Sequence, residues 1–198
     1  MSERKSLTVQ KRTATGKGPN RRLREQQLVP GVYYGAHGEN IAVQVPSLPL
    51  TKLFGEVGRT TVFNLEIEED GKKNVKPSLV WQVQFHPYKK AFTHIDFYGV
   101  DLEKEVKLVV PVEFTGVARG TKLGGKLETY REKVALKGKP LSVPSKIVVD
   151  VTTLDLGKSI TVKDLELPAG VSCVTEGNAV LVSVISREAA EAEENAAI

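Results

Sequence analysis

The sequence predicts a mainly β fold, with an N-terminal β-barrel that carries short helices and a second, antiparallel β domain after it. Three observations support this fold class: short segments alternate apolar and polar residues, glycines and prolines separate these segments, and 198 residues can bury one large core or two modest ones, of which two fits the commonest domain size better. We expect the barrel at residues 1–97, a linker at 98–105, the second domain at 106–186 and a disordered acidic tail at 187–198.

The elements of the first half follow from local patterns. Residues 6–11 alternate as a half-buried strand does, and Pro19 suits the first turn of a basic helix expected over 20–27. Pro30-Gly31 is expected to end that helix. The remaining expected elements are strands at 32–34 and 41–45, a short helix at 48–54, a hairpin of 61–67 with the segment from Asn74 around an Asp70-Gly71 turn, and a hairpin of 80–85 with 91–97.

The pattern of the second half predicts almost only β-strands. Its strand candidates are short, evenly spaced and separated by glycines and prolines, which is typical of a sandwich-like or barrel-like domain. They are expected at 106–114, 126–136, 147–151 and 179–185. The last twelve residues are rich in alanine and glutamate and have nothing apolar to bury, so we expect them to be disordered.

Basic residues are concentrated near the N-terminus. The first 24 residues contain eight lysines and arginines against one acid, Glu3, which gives a local charge of +7 in a chain of net charge +4. Guanidinium groups at this density repel one another unless a polyanion lies between them, and a phosphate backbone is the natural partner. A solvated basic arm without a partner is the alternative that charge alone leaves open.

The expected basic helix has a feature that favours the phosphate-binding interpretation. Arg21 and Arg24 are three residues apart and share a face. Cations at a helix start oppose the helix dipole at a cost of a few tenths of a kcal/mol, and a bound phosphate reverses that cost. The preceding Gly16-Lys17-Gly18 is no nucleotide-binding P-loop, because Gly18 stands where that motif requires Ser or Thr.

His94 and Asp96 are two residues apart on an expected strand, so their side chains emerge on one face. A carboxylate beside an imidazole fixes its tautomer, which makes His94 an oriented donor to a base edge or a phosphate. Two other interpretations stay open: an internally satisfied hydrogen bond, and part of a hydrolase site, although no Ser or Cys lies in a nucleophile context. A metal site with His37 and His86 matches no familiar spacing.

Tyr33 and Tyr34 are neighbours on an expected strand and therefore face opposite ways, one to the core and one to a partner. Gln84 presents an amide that can read a base edge, although, taken alone, it is better explained as an ordinary polar residue on the surface. The single cysteine, Cys173, excludes an intramolecular disulfide and a cysteine-based zinc site. With no secretion signal and no apolar run of about 20 residues, we expect a cytosolic, soluble protein with no membrane partner.

Several of these residues follow the signatures of a known family. Its N-terminal signature is matched by Arg12, Gly16-Lys17-Gly18, Asn20-Arg21-Arg22-Leu23-Arg24, Pro30 and Tyr34-Gly35, and its second by Gln84-Phe85-His86-Pro87 and His94-Ile95-Asp96-Phe97. Val110-Pro111-Val112, Gly120–Gly125, Asp150-Val151-Thr152 and Asp164–Val171 match an extra β domain. The chain thus resembles, over nearly its whole length, bacterial large-subunit ribosomal protein twenty-five in its long form, the general stress protein CTC family.

The resemblance implies a structural, non-catalytic component of the large (50S) ribosomal subunit. Its barrel would bind 5S rRNA in the widened minor groove of an irregular internal loop. The implied partners are 5S rRNA and large-subunit ribosomal proteins, with the protein monomeric in the cytoplasmic ribosome and with no cofactor, metal or small-molecule substrate. The implied RNA contacts are Arg12, Lys17, Asn20, Arg22, Tyr34, Gln84, His94 and Asp96, to which charge adds Arg21 and Arg24 as phosphate contacts.

This sequence departs from the family pattern in two places. Asn20 stands where a serine is frequent, which keeps a hydrogen-bonding side chain but changes its reach. Gly138-Lys139-Pro140 stands where many long forms carry Cys-Leu-Pro, which concerns the course of the second domain. The alternatives to the ribosomal interpretation are a general RNA-binding or protein-binding β module and a His-Asp hydrolase.

Overall fold

The computed structural model describes residues 4–36, 38–69 and 71–186. His37, Asp70 and the acidic tail expected at 187–198 lie outside the described residues. The described chain is built mainly from β-strands, which confirms the predicted fold class.

Six strands close into a barrel in the N-terminal part, and two helices are inserted between them. Around the barrel the order is β1-β3-β2-β6-β5-β4, closed by pairing of β4 with β1. The elements are β1 (Ser6–Lys11), α1 (Lys17–Glu25), β2 (Leu28–Tyr34), β3 (Asn40–Pro46), α2 (Ser47–Val57), β4 (Phe63–Glu69), β5 (Lys72–Phe85) and β6 (Phe92–Gly99).

Two parallel pairings complete a ring that is otherwise antiparallel. β1 runs parallel to β4, and β2 runs parallel to β6. The first half of β5 pairs with β4 and its second half pairs with β6, so one strand of 14 residues serves both predicted hairpins. The barrel therefore places β2, β6 and β5 side by side, in that order.

The barrel core is apolar and rich in aromatic side chains. Phe63 and Phe97 meet edge to face at the centre, with ring centroids 6.0 Å apart. Helix α2 buries its apolar face in the same core through Leu50, Leu53 and Val57, which follow the spacing of one helix face. Helix α1 has no buried residue, so its basic face remains on the outside.

The structure corrects the expected boundary between α1 and β2. Pro30-Gly31 does not end the helix: α1 stops at Glu25, and Pro30 and Gly31 lie inside β2. Gln27, with a φ of 61°, reverses the chain between the two elements. Pro30 is tolerated because the pairing with β6 begins only at Gly31, and Gly31 is required because a Cβ there would lie 2.6 Å from the carbonyl oxygen of Ile95.

The C-terminal unit consists of two small sheets. One has the order β10-β7-β9-β12 and the other β11-β13-β8; most pairings are antiparallel, and β7 with β10 is parallel. The elements are β7 (Val106–Thr115), α3 (Arg119–Lys122), β8 (Lys126–Thr129), β9 (Lys133–Gly138), β10 (Ile147–Asp150), β11 (Ser159–Thr161), a 3-10 turn (Val162–Asp164), β12 (Val171–Cys173) and β13 (Val180–Ile185).

The expectation of one strand over 126–136 is wrong. β8 pairs with β13, whereas β9 pairs with β7 and β12 in the other sheet. The chain changes sheets at Tyr130 and Arg131, whose backbone N–H groups both donate to the carbonyl oxygen of Leu181.

The described residues divide into two compact units. The first runs to Glu105 and includes Lys139–Leu141, and the second contains Val106–Gly138 and the residues from Ser142 onward.

Candidate nucleic-acid interface

The start of helix α1 is open to an anion. Gly16 precedes it with a φ of 99°, no side chain caps the first turn, and that turn contains no acidic residue. Free backbone N–H groups and the positive end of the helix dipole therefore coincide with the charge of Lys17, which is exposed. This combination favours binding of a phosphate group.

Arg12 connects α1 to the barrel. Its guanidinium donates to the carbonyl oxygen of Val43 at 3.0 Å and to Oδ1 of Asn20 at 2.8 Å, with a longer contact of 3.5 Å to the carbonyl oxygen of Gly31. Partial burial lowers the pKa of Arg12 below its ordinary value, and an arginine remains charged at neutral pH even so. The side chains of Arg12 and Asn20 are thus hydrogen-bonded to each other, so Arg12 positions helix α1 against the barrel.

The other arginines of α1 differ in their partners. Arg21 forms an exposed ion pair with Glu25, at 3.2 Å from Nε to the carboxylate. Nε of Arg24 donates to the carbonyl oxygen of Thr93 at 3.0 Å, which fixes the end of the helix to β6. Arg22 is exposed and has no ion pair or hydrogen bond to a side chain within the described part of the chain.

His94 and Asp96 lie on one face of β6, as the strand spacing predicts. Nδ1 of His94 is 3.5 Å from Oδ2 of Asp96, and the side chains keep only 23% and 14% of their surface exposed. Within the described residues, Nδ1 of His94 and Oδ1 of Asp96 are buried and have no hydrogen-bond partner. A buried polar atom without a partner costs about 1–3 kcal/mol, so these two atoms lower the stability of this part of β6.

The strand register surrounds this pair with further polar groups. On β5, Gln84 lies opposite His94 and Gln82 lies opposite Asp96. Tyr34 lies at the end of β2 and is 38% exposed, whereas its neighbour Tyr33 is buried in the core at 3%. The alternation predicted for the two tyrosines is therefore present, and burial raises the pKa of the Tyr33 hydroxyl.

The arrangement brings two distant parts of the sequence onto one surface. The hydrogen bond from Arg24 to Thr93 spans 69 residues and places the basic helix beside the strand that carries His94 and Asp96. Thr93 was absent from the sequence-based candidates, since its contribution is a backbone carbonyl that leaves no signal in the sequence. Gln82 was also missed, although its place two residues before Gln84 is a usable signal.

The structure also bears on the alternative sites. Among the described residues no three His, Cys, Asp or Glu side chains are grouped so that they could hold a metal ion. Nδ1 of His86 accepts from the backbone N–H groups of Tyr88 and Lys89, both at 3.2 Å, so His86 organises its own loop. None of the helices in residues 4–36, 38–69 and 71–186 has the length and apolar character needed to cross a membrane.

Comparisons with known proteins cover nearly the whole chain. Residues 7–97 match the family model described as the Ribosomal L25p family, and residues 105–188 match that of the ribosomal protein TL5 C-terminal domain. The chain is 60% identical to the large ribosomal subunit protein bL25 of Desulfovibrio desulfuricans over 194 residues, 98% of each chain. It is 58% identical to that of Nitratidesulfovibrio vulgaris (94% of this chain, 98% of the relative) and 36% identical to that of Syntrophobacter fumaroxidans (95% of each).

Proposed function

The chain belongs to the bL25 family of ribosomal proteins, and on this premise we propose that it is a structural component of the large ribosomal subunit that binds 5S rRNA through its barrel. It acts without catalysis, as a monomer among other large-subunit proteins in the cytoplasmic ribosome. The observation that carries the RNA-binding part is the surface joined by the bond from Arg24 to Thr93, where an uncapped basic helix lies beside a half-buried His–Asp pair.

The charged groups of this surface supply affinity. Lys17, Arg21, Arg22 and Arg24 approach backbone phosphates around the open start and the outer face of α1. These four contacts, at roughly −0.9 per contact as in duplex DNA, give a slope near −4 in the logarithmic dependence of affinity on salt. Arg12 and Asn20 hold the helix in place and contact the RNA from that position.

The groups on the strands supply selectivity. An irregular RNA loop exposes base edges in an opened minor groove, where oriented hydrogen-bonding groups can read them. His94 donates, Asp96 accepts, and the amide of Gln84 does both, while Tyr34 offers a hydroxyl or a stacking face. The closeness of the Asp96 carboxylate to the imidazole of His94 supports this assignment, because a neighbouring carboxylate orients the imidazole that would meet a base.

The domain division belongs to the same proposal. We assign RNA binding to a domain at residues 1–97, a linking role to 98–105, a separate β domain to 106–186 and an acidic tail to 187–198. This division is in keeping with the charge: residues 1–97 hold 15 lysines and arginines against 9 acids, and residues 98–186 hold 12 against 11.

The test is a titration of the purified protein against 5S rRNA and against an RNA duplex of equal length, at two salt concentrations. We expect 5S rRNA to be preferred by on the order of a hundredfold, about 3 kcal/mol. Arg22→Ala should weaken binding to both RNAs and reduce the salt slope by about 1, whereas His94→Ala should remove mainly the preference.

The matched control for Arg22→Ala is Arg131→Ala, which removes an exposed arginine from the C-terminal unit and should leave both affinities unchanged. Equal binding of both RNAs by the wild type, with an effect of Arg22→Ala alone, would instead identify the surface as a general polyanion binder. In that case the specific function would have to lie elsewhere in the chain.

A further inference from the structure

Three aromatic side chains form a row on the outer face of the barrel. Tyr34 of β2 lies opposite Tyr98 of β6 in the strand register. The ring of Tyr98 is 5.4 Å from that of Trp81 on β5, with an angle of 45° between the ring planes. We call these three residues the aromatic row.

Trp81 points outward because β5 is irregular at this position. The register between β5 and β6 shifts between Val80 and Gln82. Val80 and Val83 both face the core, at 2% and 8% exposure, so the two residues between them, Trp81 and Gln82, both lie outside. Simple alternation allows only one outward residue there, and a β-bulge of this kind re-aims a side chain. The bulge leaves the indole of Trp81 52% exposed.

The aromatic row continues the candidate RNA interface. Tyr34 belongs to both, and Tyr98 is two residues beyond Asp96 on the same face of β6. Gln82, the neighbour of Trp81, lies opposite Asp96. Since residues two apart on a strand are about 6.5–7 Å from each other, the row begins within one nucleotide's reach of the His–Asp pair.

We propose that the aromatic row is a stacking surface for an unpaired base of the RNA that the barrel binds, with Trp81 as its main contact. Aromatic faces stack on every base, and irregular or single-stranded RNA exposes bases for such contacts. The excess of basic residues in the barrel half favours a polyanion over a protein as the occupant. This inference rests on the proposed function and adds a contact that hydrogen bonding and charge do not provide.

The chain contains one tryptophan, which gives the test a specific optical signal. Addition of 5S rRNA to the wild-type protein should quench the fluorescence of Trp81, with the same midpoint as binding measured by gel shift. Trp81→Leu should lower the affinity by about tenfold, whereas Trp81→Phe, which keeps an aromatic face, should stay within about threefold of the wild type. Tyr130→Leu, at a 51% exposed aromatic residue of the C-terminal unit, is the control and should have no effect.

Two outcomes separate this inference from the proposed function. If 5S rRNA is preferred and Arg22→Ala and His94→Ala behave as expected, but Trp81→Leu binds as the wild type and no quenching occurs, the stacking surface is refuted alone. If 5S rRNA is not preferred, the same variants are titrated with a single-stranded uridine oligomer. Quenching and a loss in Trp81→Leu would then support stacking by itself, and their absence would overturn it. Circular dichroism and thermal melting of each variant confirm that it is folded.

Discussion

The barrel and the C-terminal unit are both built mainly from β-strands, but the strands are arranged differently in the two units. The barrel is a closed ring, so its six strands all have neighbours on both sides. The C-terminal unit has two open sheets, and the four strands at their edges have only three or four residues each. Ten of the twelve aromatic residues precede residue 100, and the C-terminal unit holds only Phe114 and Tyr130.

In the C-terminal unit, side-chain hydrogen bonds stabilise individual turns, whereas the strands of the barrel are held by the closed ring. The side chain of Asp164 accepts from the backbone N–H and hydroxyl of Thr161, both at 2.8 Å, and the carboxylate of Asp150 accepts from Thr152 in a similar turn. The barrel, with its large core and closed ring, thus carries a surface with crowded charges and unpaired buried atoms. An open sheet of short strands needs each of its turns to be satisfied.

The largest expected effect comes from the barrel core. Phe97 is fully buried against Phe63, and Phe97→Ala should lower the free energy of unfolding of the barrel by about 3–5 kcal/mol. Urea unfolding followed by Trp81 fluorescence measures this loss. Leu136→Ala is the counterpart in the C-terminal unit, where Leu136 is also fully buried. Hydrogen exchange should show that each substitution exposes mainly the amides of its own unit. Equal loss of amide protection in both units would refute the contrast between the barrel and the C-terminal unit.

A smaller effect is expected where the helix joins the barrel. Arg12→Lys keeps the charge, but a lysine cannot reach Val43, Gly31 and Asn20 together. We expect a loss of about 1–2 kcal/mol in unfolding free energy and weaker binding of 5S rRNA with an unchanged salt slope. Arg59→Lys, at an exposed arginine of the same unit, is the control. An unfolding free energy equal to that of the wild type would contradict the positioning role of Arg12.

The smallest effect concerns pH and the C-terminal unit. Hydrogen bonds from Thr161 hold the pKa of Asp164 below its ordinary value of 3.8. A lowered folded-state pKa stabilises the fold above that ordinary value, and the stabilisation disappears as the pH falls through 3.8 toward the lowered pKa. Asp164→Asn should therefore be less stable than the wild type at pH 7 and at pH 5, and the difference should shrink at pH 3. Urea unfolding at these three pH values tests it; a difference that persists at pH 3 would rule the explanation out.

Much of the barrel could be predicted from the sequence because its strands show their period locally. The alternation at 6–11 and 61–67 marks β1 and β4 within two residues. The break between β8 and β9 could not be predicted, since Tyr130 and Arg131 carry no turn signal and the change of sheet depends on a bond to distant Leu181. The prediction at Pro30 failed for the opposite reason. Its sequence strongly favours the end of a helix, but the pairing of β2 in the barrel places Pro30 inside a strand.

For the candidate site, the sequence predicted which side chains share a strand face, but not the contacts that join the helix to the strands. Spacing placed His94 and Asp96 on one face, and alternation separated Tyr34 from Tyr33. The anchoring of Arg24 to a backbone carbonyl and the binding of Arg12 to Asn20 depend on the closed fold. The outward direction of Trp81 also depends on the folded sheet, although two apolar residues three apart, Val80 and Val83, are a sequence sign of the bulge.

The order of pairing in the barrel has a consequence for the nascent chain. β1 pairs with β4, and β2 pairs with β6, which are both synthesised later. The ring therefore cannot close before Gly99 has been added. The basic helix is made 69 residues before its anchor on Thr93, which at about 5–20 residues per second is a delay of several seconds. During that time the arginines of the helix exist without the His94–Asp96 pair beside them. Completion of the ring brings the basic helix and the His94–Asp96 pair onto one surface, so the direction of synthesis sets the order in which the parts of the candidate interface come together.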